Sequence, residues 1–195
     1  MDDTVFCTIG RLVKRKNLID ALNLIAKLKH GKKVRLLVVG DGPERNNIEA
    51  AIKNLNLEHE VIFLGNVSDN VKFQALSISD IFISTALHEG FGLVFLEAMA
   101  CGLPILSYNK GGQTDFLREN LTGFLAAQSD PMEFFAKGEI LVNDPLLRKH
   151  IGDFNRKYVE NYYIDACADR YIRLFESVIE NRRKVARKMF YQPNW

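Results

Sequence analysis

Two glutamates, Glu89 and Glu97, bracket a glycine-flanked helix start in the segment STALHEGFGLVFLEAMACGLP at residues 84–104. Gly90 and Gly92 let backbone amides approach a ligand closely. The first turn of the helix that follows presents N–H groups and a partial positive charge to an anion such as pyrophosphate. Carboxylates beside it can accept hydrogen bonds from sugar and ribose hydroxyls, so the arrangement suits a nucleotide sugar. Glu97 stands among Leu93, Val94, Leu96, Ala98, Met99 and Ala100, where an unpaired acid is costly; the bland alternative is that it occupies the solvent edge of the helix. A second segment runs Gly10, Arg11, Leu12, Val13, Lys14, Arg15, Lys16. Arg11 offers a forked donor set and Lys16 a compact charge, a sensible pair for two adjacent phosphates. Lys14, Arg15, Lys29, Lys32 and Lys33 show how readily this chain places cations on its surface, so any one of them alone carries little.

Side chains of this kind act together when a parallel sheet brings their loops to one edge, because doubly wound sheets bind ligands at the carboxyl ends of strands near the point where strand order reverses. The sequence predicts such a sheet. Apolar runs at 4–9, 34–39, 61–64, 81–84, 105–107 and 123–125 read as six strands, and their continuity implies a sheet covered on both faces. Leu18, Leu22, Ile25 and Leu28 recur at helical spacing with Gly31 as a stop, and further helices are expected at 44–55, 71–76, 92–100, 112–119 and 131–142. The alternation of strand and helix is that of βαβ units in an α/β fold. Strands cease near Asp144, and no glycine follows Gly152. We therefore divide the chain into a Rossmann-like domain at 1–143 and a helical segment at 144–195. Tyr171, Phe175, Val178, Val185 and Met189 fall on one face of a long last helix, with Arg182, Arg183, Lys184, Arg187 and Lys188 near its end. That end either packs on another domain with a solvated basic face or touches a membrane surface peripherally.

The 195 residues have room for one sizeable core plus a helical tail. Lys and Arg number 26 against 24 Asp and Glu, a net charge of +2 that gives no global case for binding nucleic acid. Cys7, Cys101 and Cys167 are far apart, without CxxC spacing or a histidine series, so neither a disulfide framework nor a zinc site is indicated and a reducing, cytoplasmic setting is expected. Asp2 and Asp3 open the chain, and no positively charged n-region with an apolar run follows, which is not the pattern of a signal peptide. No apolar run reaches the roughly 18 residues of a membrane span.

Taken in order, GRLVKRKN at 10–17, VVGDGPER at 38–45, FLGNVSD at 63–69, SDIFISTALHEGFGLVFLEAMACGLPI at 79–105, the Gly111 and Gly112 pair and TGFL at 122–125 resemble the retaining glycosyltransferases of the GT-B fold, in the group 1 or family 4 type. The resemblance covers residues 4–126 closely and the helical tail loosely, and Glu89 and Glu97 match the family's E-x7-E pattern. It implies the donor-binding, C-terminal half of a GT-B enzyme: one Rossmann-like, doubly wound, parallel six-stranded sheet with a helical tail. By resemblance, Arg11 and Lys16 bind the donor pyrophosphate and stabilise the leaving nucleotide diphosphate, with the amides of Phe91, Gly92 and Leu93 adding donors. Glu89 holds the donor sugar's hydroxyls, Glu97 the ribose hydroxyls, and Val67 meets the base through its backbone. Arg11, Lys16 and Glu89 form the catalytic set, with Gly90 completing the loop. An analogy with carboxylate pairs in glycoside hydrolysis would make Glu89 a nucleophile or general base, but Glu97 as a ribose ligand is no partner acid for it. The resemblance implies no metal and no cofactor, and the chain has no DxD tripeptide. The expected donor is a UDP- or GDP-sugar ahead of an ADP-sugar, and the expected acceptor a sugar or lipid-linked sugar. The acceptor site belongs to an N-terminal half that this chain lacks or to a separate partner chain, so the chain alone is expected to bind donor and transfer poorly. Two positions depart from the pattern. Asn17 stands where the family has glycine, and Gly111, Gly112, Gln113, Thr114, Asp115 replaces glycine-glycine-x-proline-glutamate. His88 is expected to be exposed.

Overall fold

A computed structural model of the chain describes residues 3–128 and 130–190, with side chains to residue 183. Its strands are β1 (Thr4–Ile9), β2 (Val34–Val39), β3 (Val61–Gly65), β4 (Ile81–Ser84), β5 (Ile105–Tyr108) and β6 (Gly123–Ala126). They form one parallel sheet in the order β3-β2-β1-β4-β5-β6. The order reverses between β1 and β4, which places the loops after those two strands side by side. The helices are α1 (Leu18–Leu28), α2 (Arg45–Asn54), α3 (Asp69–Ser77), α4 (Leu93–Ala100), α5 (Pro131–Asn143), α6 (Pro145–Tyr158) and α7 (Ile164–Phe190).

The six strands lie where their apolar runs place them, because a strand covered on both faces reads as a near-continuous apolar run. In β4 and β5 every residue is buried. Helix α1 buries Leu18, Ala21, Leu22, Leu24, Ile25 and Leu28, the stripe that its spacing dictates. Local signals open the later helices. Ser68 accepts from Val71 N before α3, and Asp130 accepts from Glu133 N at 2.9 Å before α5, with Pro131 at its first position.

Two expectations differ from the structure. The helix anticipated at 112–119 is only a 3-10 turn, Gly112–Asp115. The Arg118 guanidinium closes it by donating to the carbonyls of Thr114, Asp115 and Leu117, and Leu117 and Phe116 are drawn into the core. The domain boundary expected at Asp144, where strands cease, differs from the end of the compact unit that holds the sheet, which runs to Tyr158. Helix α6 belongs to that unit because Asn155, fully buried, donates to Leu103 O at 2.7 Å and Thr122 O at 2.9 Å. Its Gly152 lies so close to Gly102 that a Cβ there would stand 2.1 Å from the Gly102 carbonyl oxygen. The second unit, residues 159–195, contains α7, on which Tyr171, Ile172, Leu174, Phe175, Val178 and Ile179 are exposed. The side chains of Lys184, Val185, Arg187, Lys188 and Met189 lie outside the described residues. No helix among the described residues is long and apolar enough to cross a membrane.

Candidate functional site

The loops after β1 and β4 are stitched together at the carboxyl edge of the sheet. Leu87 N donates to Arg15 O at 2.8 Å, and Thr85 Oγ1 to Lys16 O at 3.2 Å. This backbone clamp brings Lys16 Nζ onto Glu89 Oε1. Arg15 Nη1 reaches Glu89 Oε2 at 3.4 Å and His88 O at 3.0 Å, so it is more than the solvated charge its sequence context suggests. Glu89 is only 7% exposed, and a carboxylate so enclosed requires its cations. His88 is exposed, as expected.

The opposite wall of the Glu89 loop is backbone. Gly112 N donates to Glu89 O at 2.8 Å, and a Cβ on Gly112 would fall 1.6 Å from Gly90 O. Gly90 itself meets nothing within 4 Å at its Cβ position, so one side of it is open. Gly92, at φ 80°, sits at the N-cap of α4, a conformation only glycine adopts freely. It turns the chain so that Leu93 begins the helix, whose Phe95, Ala98 and Met99 are buried and anchor it. Phe91 and Leu93 are exposed at this helix start. Phe91 also stands against Phe116, with ring centroids 5.1 Å apart.

Beside these loops lies an open cleft of about 400 Å³ at the ends of β1, β2 and β3, bordered by Gly10, Arg11, Gly40, Gly65, Val67 and Lys72. Arg11 is exposed and faces this cleft. A Cβ on Gly40 would stand 2.1 Å from Gly10 O, so the β1 and β2 loops pack backbone to backbone. Glu97, on α4, is held by Lys72 Nζ at 2.8 Å from its Oε1, and Lys72 also reaches Asp69 Oδ1 at 3.0 Å. Burial works against the Lys72 ammonium, but its hydrogen bonds to Glu97 and Asp69 outweigh that and raise its pKa. Glu97 Oε2 is buried and has no hydrogen-bond partner. Glu97 therefore does not simply occupy a solvent edge: its side chain is 26% exposed and salt-bridged.

The structure thus joins Lys16 to Glu89, places Arg11 and Val67 on one cleft, and bonds Glu97, which does not line that cleft, to Lys72, which does. Lys72 and Arg15 were not assigned to the site from sequence. No spacing rule pairs Lys72 with a glutamate 25 residues on, and Arg15 is one of three consecutive cations, with Lys14 and Lys16. Cys7 is packed in β1, and burial pushes its thiol up to about 12, which suits an inert core residue. Among the described residues no group of three or more His, Cys, Asp and Glu side chains converges.

A six-stranded parallel sheet with its reversal between β1 and β4, basic and acidic loops meeting there, and a glycine-led helix beside them define one half of a GT-B fold. The chain belongs to the family described as glycosyl transferases group 1, whose profile matches residues 1–158. It is 32% identical over 180 residues to the N-acetyl-alpha-D-glucosaminyl L-malate synthase of Bacillus anthracis, covering 92% of this chain and 47% of that protein. It is 34% identical over 166 residues to the capsular polysaccharide biosynthesis glycosyltransferase CapM of Staphylococcus aureus, covering 83% and 43%. Among solved structures, the sucrose-phosphate synthase of Thermosynechococcus elongatus aligns with a TM-score of 0.79 at 25% identity, over 92% of this chain and 46% of that one. The S. aureus TarM structure solved with UDP aligns with a TM-score of 0.80 at 24% identity, over 89% and 35%, a likeness of fold. The chain spans about half the length of the curated relatives it matches.

Proposed function

We propose that this chain is the donor-binding half of a retaining glycosyltransferase that moves a hexose from a nucleotide diphosphate sugar to a sugar or lipid-linked acceptor. The observation that carries this is the charge pattern where the β1 and β4 loops meet. Arg15 and Lys16 pair with the single enclosed carboxylate of Glu89, and Arg11 lines the neighbouring cleft, so the three cations exceed the one carboxylate by two charges near the N-terminus of α4, which fits a diphosphate. Departure of the nucleotide diphosphate builds negative charge on its terminal phosphate. Arg11, Lys16 and the amides of Phe91, Gly92 and Leu93 take that charge. Glu89 then accepts from the donor sugar's hydroxyls and orients the ring, and Glu97 accepts from the ribose. Val67 meets the base through its backbone. Retention follows from attack on the face of the donor that the leaving group departs, with Glu89 as a binding group rather than a covalent nucleophile.

A UDP-sugar is the first donor to test, because family relatives transfer sugars and the TarM and Anabaena HepE structures of this fold were solved with UDP. The acceptor is held by a second GT-B half, in the same polypeptide or in a partner chain, and the exposed apolar face of α7 is suited to bracing against it. Ligand-observed NMR with UDP, GDP, ADP and their hexose conjugates, on this chain and on Glu97→Ala, tests the donor site. Selective binding that weakens in Glu97→Ala supports the proposal; absence of binding by every nucleotide overturns it.

A further inference from the structure

Tyr108 ends β5 with its side chain wholly buried and its ring centroid 4.9 Å from that of Phe134. A phenylalanine would fill such a place without needing a polar partner, so the hydroxyl calls for a reason of its own. It donates to Asp20 Oδ2 at 2.6 Å, and the same oxygen accepts from Asn17 Nδ2. Burial, and after it the Asp20 carboxylate, push the Tyr108 phenol above its ordinary value, so it stays a donor. Among the described residues the half-buried Asp20 carboxylate bonds to these two neutral groups and pairs with no cation. Three side chains thus join the end of β5, the first turn of α1 and the residue that follows Lys16.

Asn17 is the turning point of the loop after β1. It closes the 3-10 turn Lys14–Lys16, with its N–H on Lys14 O at 3.0 Å, and it leads into α1, with its carbonyl accepting from Asp20 N at 3.2 Å. Its φ of 46° and ψ of 45° are left-handed. Asparagine tolerates that conformation and glycine permits it, but neither enforces it; here the bond to Asp20 does. From the β4 side Thr85 Oγ1 donates to Lys16 O at 3.2 Å, and from the β5 side the loop is gripped through Asn17. Held in this way, Lys16 Nζ meets Glu89 Oε1. The Lys16 side chain passes over Gly10, where a Cβ would stand 3.3 Å from its Cε and Nζ, so that neighbour leaves it room but offers it no side chain to rest on.

We propose that Tyr108 and Asn17 are positioning residues for Lys16: joined through Asp20, they fix the turn after it and so hold its ammonium where the β1 and β4 loops meet, in place for the donor diphosphate. The inference rests on the proposed role of Lys16 as a diphosphate ligand and assigns what aims it. Without the tie the turn samples other conformations, and ordering Lys16 becomes a cost of binding.

The test is a double-mutant cycle read by NMR titration with whichever of UDP and GDP the parent chain binds more tightly. Tyr108→Phe keeps the ring and removes only the hydroxyl, and Asn17→Gly keeps the left-handed turn accessible and removes only the tie. Each is expected to lower affinity about fivefold or more in the parent chain, the worth of a hydrogen bond. In a Lys16→Met background each should change affinity by less than about twofold, since no ammonium is left to aim. Circular dichroism checks that every variant folds. If Tyr108→Phe does not, Asn17→Gly carries the cycle, and if Lys16→Met does not, Lys16→Met/Glu89→Gln supplies the background. Equal losses with and without Lys16, or no loss in the parent chain, overturn the inference and leave the three side chains a role in the fold alone. If instead Lys16→Met keeps the parent affinity, or neither nucleotide binds, the diphosphate role of Lys16 fails and the inference falls with it.

Discussion

Lys16 and Glu89 make the central contact of the site, and their pairing has a cost that can be measured. Glu89 is 7% exposed and Lys16 Nζ is bonded to its Oε1, with Arg15 a longer 3.4 Å from Oε2. Removing the lysine leaves a largely enclosed carboxylate with its weaker partner only, whereas neutralising both members removes the uncompensated charge. Lys16→Met is expected to lower unfolding stability by about 1–3 kcal/mol, and Lys16→Met/Glu89→Gln to recover most of that loss. Nucleotide affinity should fall about tenfold or more in both, because the diphosphate loses a cation either way. Urea unfolding and NMR titration separate the two effects, and a double variant that regains binding along with stability would show that Lys16 serves the fold alone. Asn17 next to it has φ 46°, the left-handed region where glycine is at ease and asparagine is the best-tolerated substitute. Its departure from the family's glycine therefore preserves the backbone path of the loop and changes only a side chain, which bonds to Asp20.

The loops that carry these residues are held in place by close backbone contacts, and glycines mark where those contacts are. A Cβ on Gly112 would stand 1.6 Å from Gly90 O, while a Cβ on Gly90 would meet nothing within 4 Å. Gly112→Ala must push the loop after β5 away from the loop after β4, and is expected to cost about 2 kcal/mol or more of stability and to weaken nucleotide binding with it. Gly90→Ala is expected to leave stability within about 0.5 kcal/mol and to weaken binding only if ligand approaches its open side. Thermal unfolding beside nucleotide titration of both variants decides this, and a destabilised Gly90→Ala would mean that the loop is packed where we place ligand. How much of this could be read from sequence depends on the range of the interaction. The strands were legible because burial on both faces forces continuous apolar runs, and α1 because its stripe has helical period. The turn at Gly112–Asp115 and the place of α6 were not, because each is set by contacts across the fold: Gly112 on Glu89 and Gly90, Asn155 on Leu103 and Thr122. Arg11, Lys16, Glu89 and Glu97 were legible through their motif. Lys72 was not, since a lysine near a helix start signals nothing until α4 is seen beside it.

At the scale of the whole molecule, the proposed function gives the parallel sheet one side of a reaction. Its reversal between β1 and β4 sets an open cleft beside the loops that follow those strands, and in the function proposed above each group assigned there acts on the donor. Transfer also needs an acceptor hydroxyl fixed on the donor's face and water kept out, and holding two reactants together is worth effective molarities of about 10⁵ M or more. The cleft of about 400 Å³ in this sheet is open to solvent, and the matched relatives are about twice as long as the segment they share with this chain. We therefore expect this chain alone to bind a nucleotide sugar yet to transfer it at least about a thousandfold more slowly than an assembly that includes an acceptor-binding half, with slow hydrolysis competing. The measurement is product formation from a labelled UDP-hexose with a panel of sugar and lipid-linked acceptors, under conditions where NMR shows the donor bound. Donor binding with no transfer supports the division of labour between halves. Retaining transfer by this chain at ordinary enzymatic rates would show that the acceptor is held by the residues described here, and the exposed faces of α7 and the β4 loop would then be the places to look for it.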